Sequence, residues 1–328
     1  MERQSARRYR RWQPPSRKCV RGARSRVSRF PADSRVPEWS SKREVFASTP
    51  SPIVTMLTSH SLAIAAAVGL LSGAHAAIWG MYKDSVYEGF GALCFVRSII
   101  VGAVAAVAIQ MSIHLPLPAP AALVVLFGLA YGAERGIIEV WKTFLREQDQ
   151  SKFFIPMVFS VGGVPVARRG VRLAAGAAYV SVVSFCLLAV AQLDRGAPGP
   201  PTLSASALVG LTVGIIIAIG GAWKDAPKEG FEPLKFFRSP VMAVAFALAL
   251  SSLSESYLQI AVASIGYERA AVETYKTLFT RGKTPGKFTG KPELYPEMRT
   301  HRRRGVPVFL GIWAVVLVST ALALGERL

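Results

Sequence analysis

The sequence predicts an all-α fold, a polytopic membrane helical bundle of about eight transmembrane helices in two parallel four-helix repeats. Three observations lead there. Hydrophobic residues make up 51% and charged residues 18% of the 328 positions, against roughly 25% charged in soluble domains. The apolar residues come in long blocks. Runs of about 18 or more with few charges suit a hydrocarbon core about 30 Å thick. A charged phrase is also written twice, "YKDSVYEGF" at 82–90 and "WKDAPKEGF" at 223–231.

The apolar blocks fall near 61–81, 91–113, 119–141 and 171–192, and again near 203–223, 232–252, 255–276 and 306–325. The second set repeats the first. Lys83, Asp84, Glu88, Gly89, Phe90, Phe95, Arg97 and Ser98 match Lys224, Asp225, Glu229, Gly230, Phe231, Phe236, Arg238 and Ser239 at one offset of 141. "ERGIIEVWKTF" (134–144) matches "ERAAVETYKTL" (268–278), and "RRGV" recurs at 168–171 and 303–306. Three blocks in order point to duplication, with repeats over 56–198 and 199–328. Four spans per repeat is an even number. Both repeats then enter the membrane from the same side, related by an axis along its normal.

Charge assigns the sides. The connections at 114–121, 194–201 and 253–256 are short and nearly neutral. Loop 142–172 carries six Lys+Arg against two acids, and loop 276–304 nine against two. Basic loops mark the cytoplasmic side, or the matrix or stromal side in an organelle. A bacterial inner membrane or an organellar membrane is therefore expected. Residues 1–55 hold 14 Lys+Arg and four acids, without helical or strand period. Three readings fit this leader: a transit segment, an arm on anionic lipid, or sequence upstream of a true start at Met56. The third is favoured, because with eight spans the basic leader would otherwise have to cross the membrane. The net charge of +19 sits in this leader and the loops, which argues against nucleic acid as a partner.

The candidate site is charged and doubled. Glu134, Arg135, Glu139 and Lys142 share an arc of about 140 degrees at 3.6 residues per turn. Glu268, Arg269, Glu273 and Lys276 repeat that spacing. Between Arg238 and Glu268 the chain is too short for two full spans clear of the charges. The charges must lie within the membrane, or the hairpin must be re-entrant. Ionisable groups there usually face a bundle interior or a wet cavity and usually pair. Arg135 with Glu139 and Glu139 with Lys142 have the spacing to pair along one helix. The Lys83–Phe90 and Lys224–Phe231 stretches read as turns capping a polar cavity. Lys83, Asp84, Glu88 and Arg97, with Lys224, Asp225, Glu229 and Arg238, complete the candidate binding set. Gly89 and Gly230 have the residue type that ends a helix, and Asp84 and Glu88 the type that caps the next one.

No catalytic motif, phosphate loop or dinucleotide fingerprint is present. The four histidines (60, 75, 114, 301) do not cluster in sequence, and the three cysteines form no ligand pattern. No metal or cofactor is expected. The leading expectation is a transporter, channel-like or binding protein for a small charged solute, an anion held by Arg97, Arg135, Arg238 and Arg269. Its partners are the lipid bilayer and a small solute or phospholipid headgroup. The alternatives are an integral-membrane enzyme acting on a lipid-linked phosphate, with Asp84 or Asp225 beside a metal, and a structural scaffold. Both copies keep the charged residues, which suits a shared central path better than one catalytic centre.

Overall fold

The computed structural model describes residues 52–196, 199–280 and 283–327. The expected basic leader lies outside these residues up to position 51. The described chain is a bundle of eight α-helices: α1 Pro52–Glu88, α2 Ala92–Ile113, α3 Pro120–Val140, α4 Arg169–Gly196, α5 Leu203–Glu229, α6 Pro233–Ser251, α7 Tyr257–Leu278 and α8 Met298–Gly325. All except α7 are long and apolar enough to cross a membrane. Helix α7 fails on composition because it carries Glu268, Arg269, Glu273 and Lys276. It is nonetheless central, with Ile260, Ala261, Ala263 and Ala270 fully buried.

Local chemistry sets the helix ends. The Thr202 side chain accepts a hydrogen bond from the Ala205 amide, and Ser256 does the same for Gln259, so α5 and α7 begin on side-chain caps. Helices α1 and α5 end at Gly89 and Gly230, whose φ angles are +76° and +84°, a region that glycine enters without strain. The repeated phrase is therefore helical up to its glycine, not a turn. Its acids do not cap α2 or α6 either. Those helices start at Gly91 and Glu232 without a side-chain cap, and the acids are drawn to lysines instead.

Packing follows the repeat. Helix α1 pairs with α2 and α5 with α6; α3 touches α1 and α2 as α7 touches α5 and α6. The fourth helices reach across the chain: α4 lies on α7 as well as on the segment directly after α3, and α8 lies on α3 and α1. Helices α3 and α7 cross at the centre, where Gly128, Gly132 and Gly266 let the backbones meet. Polar backbones can approach closely in lipid only where side chains are this small. Helix α4 is peripheral and shows Val182, Phe185 and Leu188 outward, a surface suited to acyl chains.

The connections sort to two ends. At one, the Asp194 carboxylate accepts from the amides of Tyr257 (2.6 Å) and Leu258 (3.3 Å), so the end of α4 caps α7. The α6–α7 hairpin thus reaches the level of the α4–α5 connection and is not re-entrant. At the other end both basic loops gather over the ends of α1 and α5. The Leu294 amide donates to the Val86 carbonyl, Phe154 to Lys287, and the Trp223 indole to Ser160. The loop after α3 begins as a π-helical turn, Trp141–Leu145, and includes a two-residue hairpin, Ser160–Val161 with Val164–Pro165. The loop after α7 has one 3₁₀ turn, Gly286–Phe288.

Lys287 in that 3₁₀ turn clasps the first repeat, its Nζ lying 2.7 Å from Asp84 and 3.1 Å from Glu88. Burial works to lower its pKa, but the two carboxylates more than offset this and the net shift is upward. A raised lysine pKa stabilises the fold fully below the unfolded value of about 10.4, and that contribution fades as pH climbs through the folded value. Lys287→Ala is expected to lower thermal stability by about 1–3 kcal/mol near neutral pH, with a difference from the parent chain that shrinks as pH rises past the ordinary lysine range. Melting curves of both chains across pH check this, and an equal deficit at every pH contradicts it.

Candidate functional site

The charged stretches of α3 and α7 lie deep. Glu268 stands 11 residues into α7, about 17 Å along the helix, which is roughly the middle of a 30 Å hydrocarbon core. Glu134 and Glu268 are both fully buried. A carboxylate there needs a cation, and each takes its sequence neighbour. Arg135 forks onto Glu134 with contacts of 2.5 and 2.7 Å, and Arg269 Nε stands 3.0 Å from Glu268. Adjacent helical residues diverge by about 100 degrees, so each long arginine side chain must fold back to make its pair.

This corrects the expected pairing of Arg135 with Glu139. The buried carboxylate beside it outcompetes Glu139, whose side chain remains 51% exposed. Glu139 keeps the expected partner Lys142, at 3.3 Å. The two copies are unequal. Arg135 holds both oxygens of Glu134, whereas Glu268 receives no well-directed hydrogen bond on either oxygen.

Around these pairs the two halves of the chain interleave. Glu273 lies in the field of Lys276, Lys83, Arg135 and Arg269. Glu139 lies in the field of Lys142, Lys224 and Arg135. The end of α1 therefore delivers Lys83 to the α7 cluster, and the end of α5 delivers Lys224 to the α3 cluster. Lys276 also feels Arg238. The structure thus brings together Lys83, Glu134, Arg135, Glu139, Lys142, Lys224, Arg238, Glu268, Arg269, Glu273 and Lys276.

Asp84 and Asp225 border the cluster, in the fields of Lys83 and Lys142 and of Lys224, but they and their neighbouring glutamates are paired elsewhere. Asp84 and Glu88 are taken by Lys287; Asp225 and Glu229 are taken by Lys235 of α6, at 3.2 and 2.5 Å. The two clasps do the same work with lysines from different places, one across the repeats and one local. Arg97 lies over the Trp141 ring, 4.8 Å from its centroid. Among the described residues no group of three His, Cys, Asp or Glu is arranged to hold a metal ion.

Two residues at the cluster's inner edge were not singled out by sequence. Tyr131 is fully buried in the field of Glu273, Arg135, Glu134 and Arg269. Its hydroxyl is 3.2 Å from Nδ1 of His75, which is also fully buried and stacked 3.9 Å from Phe309. Tyr131 sits one turn before Arg135 on the same helical face, a legible signal. His75 has no such signal, because nothing in α1 marks that face as meeting α3 and α8.

Among the described residues Lys83, Lys224, Lys276, Arg97 and Arg238 form no ion pair. The cluster is therefore richer in cations than in carboxylates within reach, and the unpaired cations come from both halves of the chain. No family model, curated relative or solved structure matches this chain.

Proposed function

We propose that this multi-pass membrane protein binds and carries a small anionic solute through the charged cluster between α3 and α7. The basic-loop end would face the cytoplasm or its organellar equivalent, and the two repeats, 56–198 and 199–328, would each contribute half of the site. One observation carries the reading. Seven cations (Lys83, Arg135, Lys142, Lys224, Arg238, Arg269, Lys276) gather around four carboxylates (Glu134, Glu139, Glu268, Glu273), of which Glu134 and Glu268 are fully buried, where an unbalanced charge is costly. An anion supplies the balance. Glu134 and Glu268 then orient the guanidinium groups that meet it. An enzyme built around a metal at Asp84 or Asp225 finds less support, because Lys287 and Lys235 already occupy those carboxylates.

Uptake into reconstituted vesicles tests the reading, with inorganic phosphate and sulfate as probes and choline as the cationic control. The parent chain is expected to pass an anion faster than choline. Lys83→Gln and Lys224→Gln are each expected to weaken the apparent anion affinity about tenfold, the loss of roughly 1.4 kcal/mol of attraction. Glu134→Gln and Glu268→Gln should impair flux to similar degrees. Anion uptake no faster than in protein-free vesicles, or glutamate variants with unchanged flux and lowered melting temperature, would reduce the cluster to a structural ion-pair network.

A further inference from the structure

We infer that a cleft between α1, α7 and α8 binds the phosphate of an anionic membrane lipid. The cleft is lined in part by Trp79, Tyr82, Lys83, Thr277, Arg302 and Val306. It stands apart from the solute site and shares only Lys83 with it. Two of its walls are cations with no carboxylate partner among the described residues. Lys83 rests on the Trp79 ring, 4.5 Å from the centroid. Arg302 spends one N–H on the Thr277 carbonyl at 3.1 Å, which leaves most of its donor fork unused. The carboxylate in its field, Asp84, is held by Lys287 at 2.7 Å.

Depth and shape identify the ligand. Arg302 lies four residues into α8, and Lys83 five residues from the end of α1. Both are therefore about 6–8 Å inside the basic-loop end of their helices, at the boundary where headgroups meet acyl chains. Tryptophan and tyrosine are favoured at that boundary. The enclosed space is only about 10 Å³, room for about one water, so a solute cannot be swallowed there. A ligand must sit at the open mouth, its phosphate between the cations and its remainder outside the protein. A lipid meets that condition, since its chains stay in the bilayer. Arginine's planar fork matches two phosphate oxygens. Val306 and Ile78 continue the wall toward the membrane interior as an apolar surface. The chain offers no symmetric counterpart: the positions matching Trp79 and Arg302 are Gly220 in the second half and Ala167 in the first. One lipid per chain is expected.

Native mass spectrometry of the full chain, released from nanodiscs of phosphatidylcholine with and without phosphatidylglycerol, tests this. One phosphatidylglycerol should be retained per chain. Arg302→Gln should weaken retention about tenfold, and Arg302→Lys, which keeps the charge but not the fork, should fall between that variant and the parent chain. Val306→Trp, which fills the mouth without altering charge, should also expel the lipid. Elution profile and melting temperature in pure phosphatidylcholine report folding, so a general loss of stability is read separately from loss of the lipid. Arg302→Gln should leave anion uptake into phosphatidylcholine vesicles unchanged, which separates failure here from failure of the transport reading. Unchanged phosphatidylglycerol retention in Arg302→Gln or Val306→Trp overturns the proposal. So does inorganic phosphate that binds the lipid-free chain as tightly and with the same dependence on Arg302, which would make this a site for free anions.

Discussion

Gly266→Val is expected to cost on the order of 3 kcal/mol or more and to give a chain that elutes as aggregate from mild detergent. A Cβ at Gly266 would run into the Gly128 carbonyl and the Gly132 amide, both backbone atoms of α3. Flexible side chains could yield, but two helical backbones can only move apart. Moving them apart would loosen the seam beneath Glu134 and Glu268, since α3 and α7 carry both carboxylates. Gly136 is the internal control. It lies on α3, the other helix of the crossing, and a Cβ there would meet nothing within 4 Å. Gly136→Ala should gain about 0.5–1 kcal/mol from better helix propensity. Melting temperatures of the two variants should thus move in opposite directions. A Gly266→Val chain that melts like the parent would mean the two helices do not meet as described.

Arg135→Ala should cost about 3–5 kcal/mol, the penalty for leaving a buried carboxylate without its cation. Glu134 is fully buried, and Arg135 satisfies both of its oxygens. Removing both charges together, as Glu134→Leu with Arg135→Leu, should recover most of that loss, because a buried pair pays heavy desolvation that an apolar pair avoids. The second copy should respond less. Arg269 makes one contact with Glu268 and its side chain is 31% exposed, so Arg269→Ala removes a weaker, better-screened partner. Thermal unfolding of the three single and double variants gives the ranking, and a larger loss for Arg269→Ala than for Arg135→Ala would contradict this account of the site.

Most of the architecture was legible because membrane spans are written in a coarse code. Eight apolar blocks became eight helices, and a shared offset of 141 foretold that the ends of α1 and α5 would behave alike. The burial of Glu134 and Glu268 was legible too, since carboxylates that far along an apolar helix tend to face inward. Pairing was harder to read. Spacing rules favour Arg135 with Glu139, but burial decided for Glu134, and burial depends on which helix lies opposite. The clasps were hidden for a similar reason. Asp84 and Asp225 are equivalent in sequence, yet Lys287 comes from a loop 203 positions further on and Lys235 from the next helix. The cleft beside Arg302 needs α1 and α8, the first and last of the described helices, to be neighbours, and no local pattern announces that.

The reach of the fourth helices bears on how the molecule is made. During synthesis α1 to α4 emerge without part of their outer wall, because α8, the rod that lies on α3 and α1, is delivered after all of them. Until α8 arrives, the flank of α3 that it will cover has only lipid or insertion machinery to rest against. The two halves, although similar in sequence, are not separable modules: α4 of one rests on α7 of the other, and α8 rests on α1 and α3.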